Sequence, residues 1–382
     1  MAASDAEAPT TGSTAGGVAG RSGLFPGPVR LNPKPVGWLP ACGAVQAGVV
    51  FDLERRAFVA DLAGVVQAFD SEHRLLWQQT LVGGISATPA VDVDGARLLV
   101  GTHAGWVCAL RTTDGAVLWQ QRLPSRSDSR IVGDLLHLPG RGSLIASSWG
   151  GRFHELDVVS GATLRTWDAG ISPQAGASGD RWGHVYCLRA VRDEGVALVR
   201  VGRSGTEEVL HRVPESPRGA SRMTVAASPV VDETRGTVGF VTNDGRRAVV
   251  HAWSLGEERL RWSQTLEQGV VATPALLGDG TIVVADLGGA VHAFGPDGAL
   301  RFRHSTGGDY LLAGPVADVA GRLFLGDPLG RLHVLEKDGS GGPVFEGARA
   351  LQARASFDER GNLYLPSTAG GVHVFANLAS NQ

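Results

Sequence analysis

Side chains able to do chemistry gather at a few places in a chain otherwise rich in Gly, Ala, Val and Leu. Arg126, Asp128 and Arg130 stand close together, with Asp134 just beyond them. Gln174, then Arg222 with Met223, Asp309 with Tyr310, and Gln352 with Arg354 recur further along. Guanidinium groups grouped in a confined mouth hold a carboxylate or phosphate through paired N–H donors. An Asp, Tyr or His beside such an anion moves protons if confinement tunes its pKa. Asp134, Asp309, Tyr310 and His103 fit that role by residue type.

No familiar catalytic signature accompanies them. The chain has no GxGxxG, Walker loop, GxSxG, HExxH or catalytic-cysteine pattern. Its histidines are scattered, and its three cysteines, Cys42, Cys108 and Cys187, are widely spaced without a CxxC. Neither a zinc site nor a disulfide framework is indicated, so no metal and no cofactor are expected. Asp92-x-Asp94-Gly95 lacks the remaining ligands of a calcium loop and reads as a turn. A net charge of −3 over 382 residues gives no reason to expect nucleic acid as a partner.

The elements that must position these residues are written in a repeat. Trp77, Ala87-Thr88-Pro89, Asp94-Gly95, Gly105–Leu110, Asp114-Gly115 and Trp119 follow one another in order. Trp262, Ala272-Thr273-Pro274, Asp279-Gly280, Gly289–Phe294, Asp297-Gly298 and Phe302 repeat the order. Short alternating apolar runs between Asp-Gly turns, at a period near forty residues, mark the blade of a β-propeller. The start of the third strand recurs at Gly64, Gly105, Gly151, Gly195, Ala248, Gly289, Gly330 and Gly370, at intervals of 41, 46, 44, 53, 41, 41 and 40. The fold predicted is all-β, an eight-bladed propeller of four-stranded antiparallel blades over residues 35–377. The eighth repeat runs out of chain after Phe375, and Trp38 stands about one strand-to-strand period before Trp77. An N-terminal strand around Trp38 is therefore expected to complete the last blade and remove an open sheet edge. Residues 1–34, rich in Ala, Gly, Ser, Thr and Pro, read as a disordered leader, and 378–382 as a short tail. Asp5 and Glu7 stand where a signal peptide is basic, and no run nears the 18 apolar residues of a membrane span. A soluble, cytoplasmic, monomeric bacterial protein without membrane contact is the expectation.

In a propeller, the links from outer strand to next inner strand gather on one face around the axis. Plain links here are small and apolar, as in Val82–Ala87 and Gly269–Ala272. The charged residues above break that pattern and so fall at the channel mouth. On neighbouring turns Asp61, Asp286 and Asp327 recur and read as turn chemistry, whereas His103 and Trp149 do not recur and join the candidates. His292, His333 and His373 share one repeat position and read as outward-facing strand residues. The predicted binding set is thus Arg130, Asp134, Gln174, Arg222, Asp309, Tyr310, Arg354, His103 and Trp149.

The spelling small-Thr/Ser-Pro, Asp-Gly, Gly-x-Val-x-Ala-Leu, Gly-x-x-x-Trp resembles the repeat of pyrroloquinoline-quinone-type propellers across residues 36–376. That resemblance implies the fold. Its members include quinone-dependent alcohol dehydrogenases and a propeller lipoprotein that assists outer-membrane protein assembly. The dehydrogenases carry an adjacent cysteine pair on the cofactor, and no two cysteines adjoin here. The expected function is a non-quinone binding or scaffold propeller, using its mouth or flat face to hold a ligand or protein. The alternative is an enzyme of lyase, cyclase or hydrolase type acting on an anionic small molecule at the mouth, with quinone-dependent oxidation behind both.

Overall fold

In a computed structural model of the chain, residues 22–381 are described apart from 125–127, 171–174, 192–193, 215–222, 246 and 348. Eight separate sheets surround one axis, each read from inside outward in chain order. Blade one spans Val50–Thr80, blade two Ala90–Arg122, blade three Leu136–Asp168 and blade four Ser178–Val213. Blades five to seven span Val230–Leu266, Ala275–Ser305 and Val316–Glu346, and blade eight begins at Ser356–Phe357. Every described pairing inside a blade is antiparallel, as short hairpin-linked strands require.

The predicted closure is present. Gly37–Pro40 pairs antiparallel with Gly371–Phe375, Trp38 opposite His373, and supplies the outer strand of blade eight. The N-terminal chain does more than this. Leu24–Phe25 runs parallel to Val316–Asp318, the innermost strand of blade seven, and so lies on its axial side. From there Val29 donates its N–H to Asp318 (2.8 Å), Arg30 to Asn377 Oδ1 (2.9 Å) and Asn32 to the Ala376 carbonyl (3.0 Å). The expectation of a disordered leader through residue 34 is thus corrected from Ser22 onward. Phe25, Val29 and Leu31 pack into the blade-eight core, and backbone pairing satisfies the polar groups between them. Residues 1–21 lie outside the described residues. At the other end, a short 3-10 turn over Leu378–Asn381 is tied back by the Leu378 N–H to the Arg30 carbonyl (2.7 Å).

Core clusters each draw on two neighbouring blades, so both faces of a sheet are dry. The outer-strand aromatics close the gaps. Trp77 donates its indole N–H to the Thr112 carbonyl of the next blade (2.8 Å), and Trp119 and Trp262 repeat this with Val158 and Pro296. Each ring lies on a glycine of the neighbouring turn, Gly115, Gly161 and Gly298, all at positive φ, where a Cβ would strike the ring. The Gly-x-x-x-Trp spelling is therefore two halves of successive contacts. Among the described residues, no helix is long and apolar enough to cross a membrane.

The shared histidine position needs correction. His292 and His333 are buried and donate Nε2 to Asp286 (2.8 Å) and Asp327 (2.9 Å). They point between blades, because the face that is outward in a lone sheet is covered here by the next blade. Asp61, Asp286 and Asp327 do accept their own turn N–H groups, as expected of turn chemistry.

Candidate functional site

Each blade enters its inner strand through four residues that turn two side chains toward the axis. The first of the two is Gln46, Ser86, Val132, Ala226, Val271, Leu312 and Gln352 in the described blades. The second is Gly48, Thr88, Asp134, Gly176, Ser228, Thr273, Gly314 and Arg354. Together with Trp149, these two rings, Gly48 apart, line a cavity of about 310 Å³ on the axis. We call the face onto which it opens the upper face; it carries the links between blades and the turns between second and third strands.

The lower ring is laced by hydrogen bonds from blade to blade. Gly48 donates its N–H to Thr88 Oγ1 (3.0 Å), and Thr88 donates its own to Asp134 Oδ1 (2.8 Å). Gly176 donates to Ser228 Oγ (3.0 Å), and Ser228 to Thr273 Oγ1 (3.3 Å). A hydroxyl or carboxylate here satisfies a backbone donor that no sheet partner reaches. At Gly314 the chain runs so close to the Thr273 carbonyl that a Cβ would collide with it. In the upper ring, Gln46 Nε2 donates to Gln352 Oε1 (3.0 Å).

Arg354 lines the cavity but does not offer its fork to it. Its Nε donates to the Pro315 carbonyl (3.2 Å), and Nη2 donates to Pro315 (3.0 Å) and Pro274 (3.1 Å). The same guanidinium lies where a Cβ on Gly23 would stand. Gly23 belongs to the N-terminal strap, whose carbonyl accepts from Ala317 (2.8 Å). Arg354 thus ties its wall of the cavity to the strap, and we call the cavity the cup.

Arg130 sits at the rim. It stacks over Trp149, 4.7 Å from the ring centroid, and donates Nε to Asp128 Oδ2 (2.8 Å). That hydrogen bond holds the Asp128 carboxyl below its usual range. His103 Nε2 and Ser86 Oγ share a hydrogen bond of 2.8 Å. Burial first, then the Arg130 charge, lowers the imidazole pKa, so His103 is neutral near pH 7.

Of the predicted set, Asp134, Trp149 and Arg354 line the cup, with Arg130 and His103 beside its mouth. Asp309 and Tyr310 are not brought in. Both are exposed, and Tyr310 is held at φ 59° with its N–H on the Leu287 carbonyl. Gln174 and Arg222, like Arg126, lie outside the described residues. The reading of the sequence passed over Gln46, Ser86, Ser228 and Thr273. For Ser228 and Thr273 the signal was the Thr/Ser-Pro motif itself, which marks the axial ring as well as the blade.

A closed eight-blade ring of this repeat, with two rings of residues about its axis, defines a propeller of the pyrroloquinoline-quinone-repeat class. The family model described as outer membrane protein assembly factor BamB matches residues 62–286. The chain belongs to that family. It is 25% identical over 288 residues to the outer membrane protein assembly factor BamB of Bordetella pertussis, covering 73% of this chain and 70% of that one. The Escherichia coli protein of the same name is 33% identical over 84 residues, which span 20% of this chain and 21% of the relative. Among solved structures, BamB from Moraxella catarrhalis superposes with a TM-score of 0.68 at 18% identity, over 90% of this chain and 98% of that one. The C-terminal WD40 domain of Sif2 reaches the same TM-score at 13% identity, over 92% and 99%, so these superpositions speak to the fold.

Proposed function

We propose that the chain is a scaffold that docks a protein partner on its upper face, and that the partner belongs to outer-membrane protein assembly, the process named for its relatives. The observation carrying this reading is an exposed apolar rim beside the cup. Tyr310 is 65% exposed, Leu329 55% and Leu312 41%, and Leu329 lies against Gly308 at the start of the link bearing the other two. Large apolar side chains grouped on a polar surface are what a protein interface uses at its centre. The residues nominated for proton transfer favour the same reading, because Asp309 and Tyr310 stand in solvent while Asp134 lies in the cup. The Arg354 fork, spent on carbonyls, removes support from an anionic substrate at the mouth.

A photo-crosslinking residue at Leu329 in the source cells tests it. The expected result is a discrete adduct with an outer-membrane assembly component, lost in a Leu312→Asp background whose melting temperature is unchanged. Absence of any adduct from Leu329 and from Tyr310 would remove the reading. Fractionation of the same cells separates it from the cytoplasmic expectation.

A further inference from the structure

On the lower face, the gaps between neighbouring blades are spanned by arginines. Arg56 of blade one reaches Thr112 of blade two (3.2 Å), and Arg141 of blade three reaches the Val201 carbonyl of blade four (3.2 Å). Arg181 of blade four pairs with Glu233 of blade five (3.2 Å), and Arg235 of blade five with the Gly278 carbonyl of blade six (2.8 Å). Arg322 of blade seven holds the Val29 carbonyl of the strap that leads into blade eight (2.9 Å), and Arg55 closes the circle by pairing with Glu359. Between blades two and three the link is weaker: Arg97 pairs with Asp92 of its own blade (2.8 Å), and only its charge reaches Asp157.

Among the described residues, the junction of blades six and seven has no such bridge. The blade-six turn reads Leu277-Gly278-Asp279-Gly280-Thr281 where blade seven has Asp318-Val319-Ala320-Gly321-Arg322. Leucine and threonine replace the aspartate and arginine. A cleft of about 500 Å³ stands there, walled by Leu277, Val319 and Ala320 and carrying Arg301 of blade six and Lys337 of blade seven. Asp279 and Asp338 also line it, but each is occupied by its own turn. Asp279 Oδ1 accepts the Thr281 N–H (2.9 Å), and Asp338 Oδ1 accepts the Ser340 N–H (2.9 Å) and Oγ (2.6 Å). The same bond recurs at Asp297 with Ala299, in the corresponding turn of blade six. The repeat therefore accounts for the two acids. It does not account for the two cations: Arg301 acts on Asp279, and Lys337 on Asp338, only as charges at a distance, and no ion pair forms at either among the described residues.

We propose that this cleft binds an amphiphilic oxyanion, a carboxylate or phosphate head on a short apolar body. The head bridges Arg301 to Lys337 and does from outside what an arginine does at the other junctions. The apolar body lies on Leu277 and Val319, exchanging water for hydrocarbon contact.

Isothermal titration with octanoate, octyl phosphate and acetate tests the site on the whole chain. Saturable binding of octanoate or octyl phosphate is expected, the tighter of the two assigning the head, with acetate at least about tenfold weaker for want of an apolar body. The double variant Arg301→Gln/Lys337→Gln weakens the better ligand at least about tenfold. Thr281→Arg, which restores the bridge, does the same by filling the cleft. Arg303→Gln, an exposed arginine on the same strand, leaves binding unchanged. The proposal is overturned if neither amphiphile saturates below its solubility limit, or if acetate binds as well. Equal binding by the double variant, or equal weakening by Arg303→Gln, overturns it too.

Discussion

Arg354 shows how one side chain changes meaning once its acceptors are known. An arginine breaking a run of small residues reads as a ligand grip, but its donors end on the carbonyls of Pro315 and Pro274. Those two residues immediately precede the inner strands of blades seven and six. Arg354→Met, which keeps the stem and deletes the fork, leaves both carbonyls without this donor at the axis. The expected loss is about 1–3 kcal/mol in urea unfolding. Arg130→Ala removes an exposed pair with Asp128 and a ring contact, and its urea unfolding curve should overlay that of wild type. Equal curves for Arg354→Met and wild type would return Arg354 to the list of candidate ligand residues. Sequence placed Arg354 at the axis correctly, because the link register does that. It could not give the direction of the fork, since carbonyls 39 and 80 residues away leave no mark in residue type. The burial of His292 and His333 was hidden for a related reason: strict alternation reports inward and outward only where one sheet face meets water.

At the scale of elements, the two parts of the N-terminal chain differed in legibility. The Trp38 strand was readable because the repeat supplies one aromatic per outer strand and the last blade was short of one. The strap was not, because two paired residues among Gly and Pro carry no periodicity, and its parallel pairing lies outside the blade pattern. Their physical duties also differ, which two truncations separate. A chain beginning at residue 33 keeps Gly37–Pro40 but loses Phe25 and Val29, which pack against Phe357 and the blade-eight core. It should remain a monodisperse ring, less stable by about 2–5 kcal/mol from lost apolar burial alone. A chain beginning at residue 42 also exposes the edge of Gly371–Phe375, and should self-associate on size-exclusion chromatography. If the two truncations elute alike, the outer strand is not what closes the ring.

Over the whole molecule, one repeat position places histidine between blades five times, at His154, His251, His292, His333 and His373. His251 is buried with Thr242 Oγ1 on Nε2 (3.0 Å) and Ser263 Oγ on Nδ1 (2.8 Å), and burial lowers its pKa to about 3. His154 has no partner on either ring nitrogen among the described residues, and burial with the nearby Arg152 charge lowers it to about 4. Burial also lowers His333 and His373. A group whose folded pKa lies below its unfolded value near 6.5 binds its proton first in the unfolded chain. Stability is therefore full above about pH 6.5 and falls as pH drops toward the folded values, each such histidine contributing at most about 1.4 kcal/mol per pH unit. Asp52 and Asp358, which burial raises, act in the opposite sense only near the carboxylate range. Blade four carries Leu198 at this position, so the ring accepts an apolar side chain there. His154→Leu should flatten the pH dependence of the urea midpoint between pH 6.5 and 4.5 and leave the variant more stable than wild type at pH 5. The test is a set of urea titrations at half-unit steps. A variant whose slope against pH matches wild type would show that the acid sensitivity of the ring does not arise at this position.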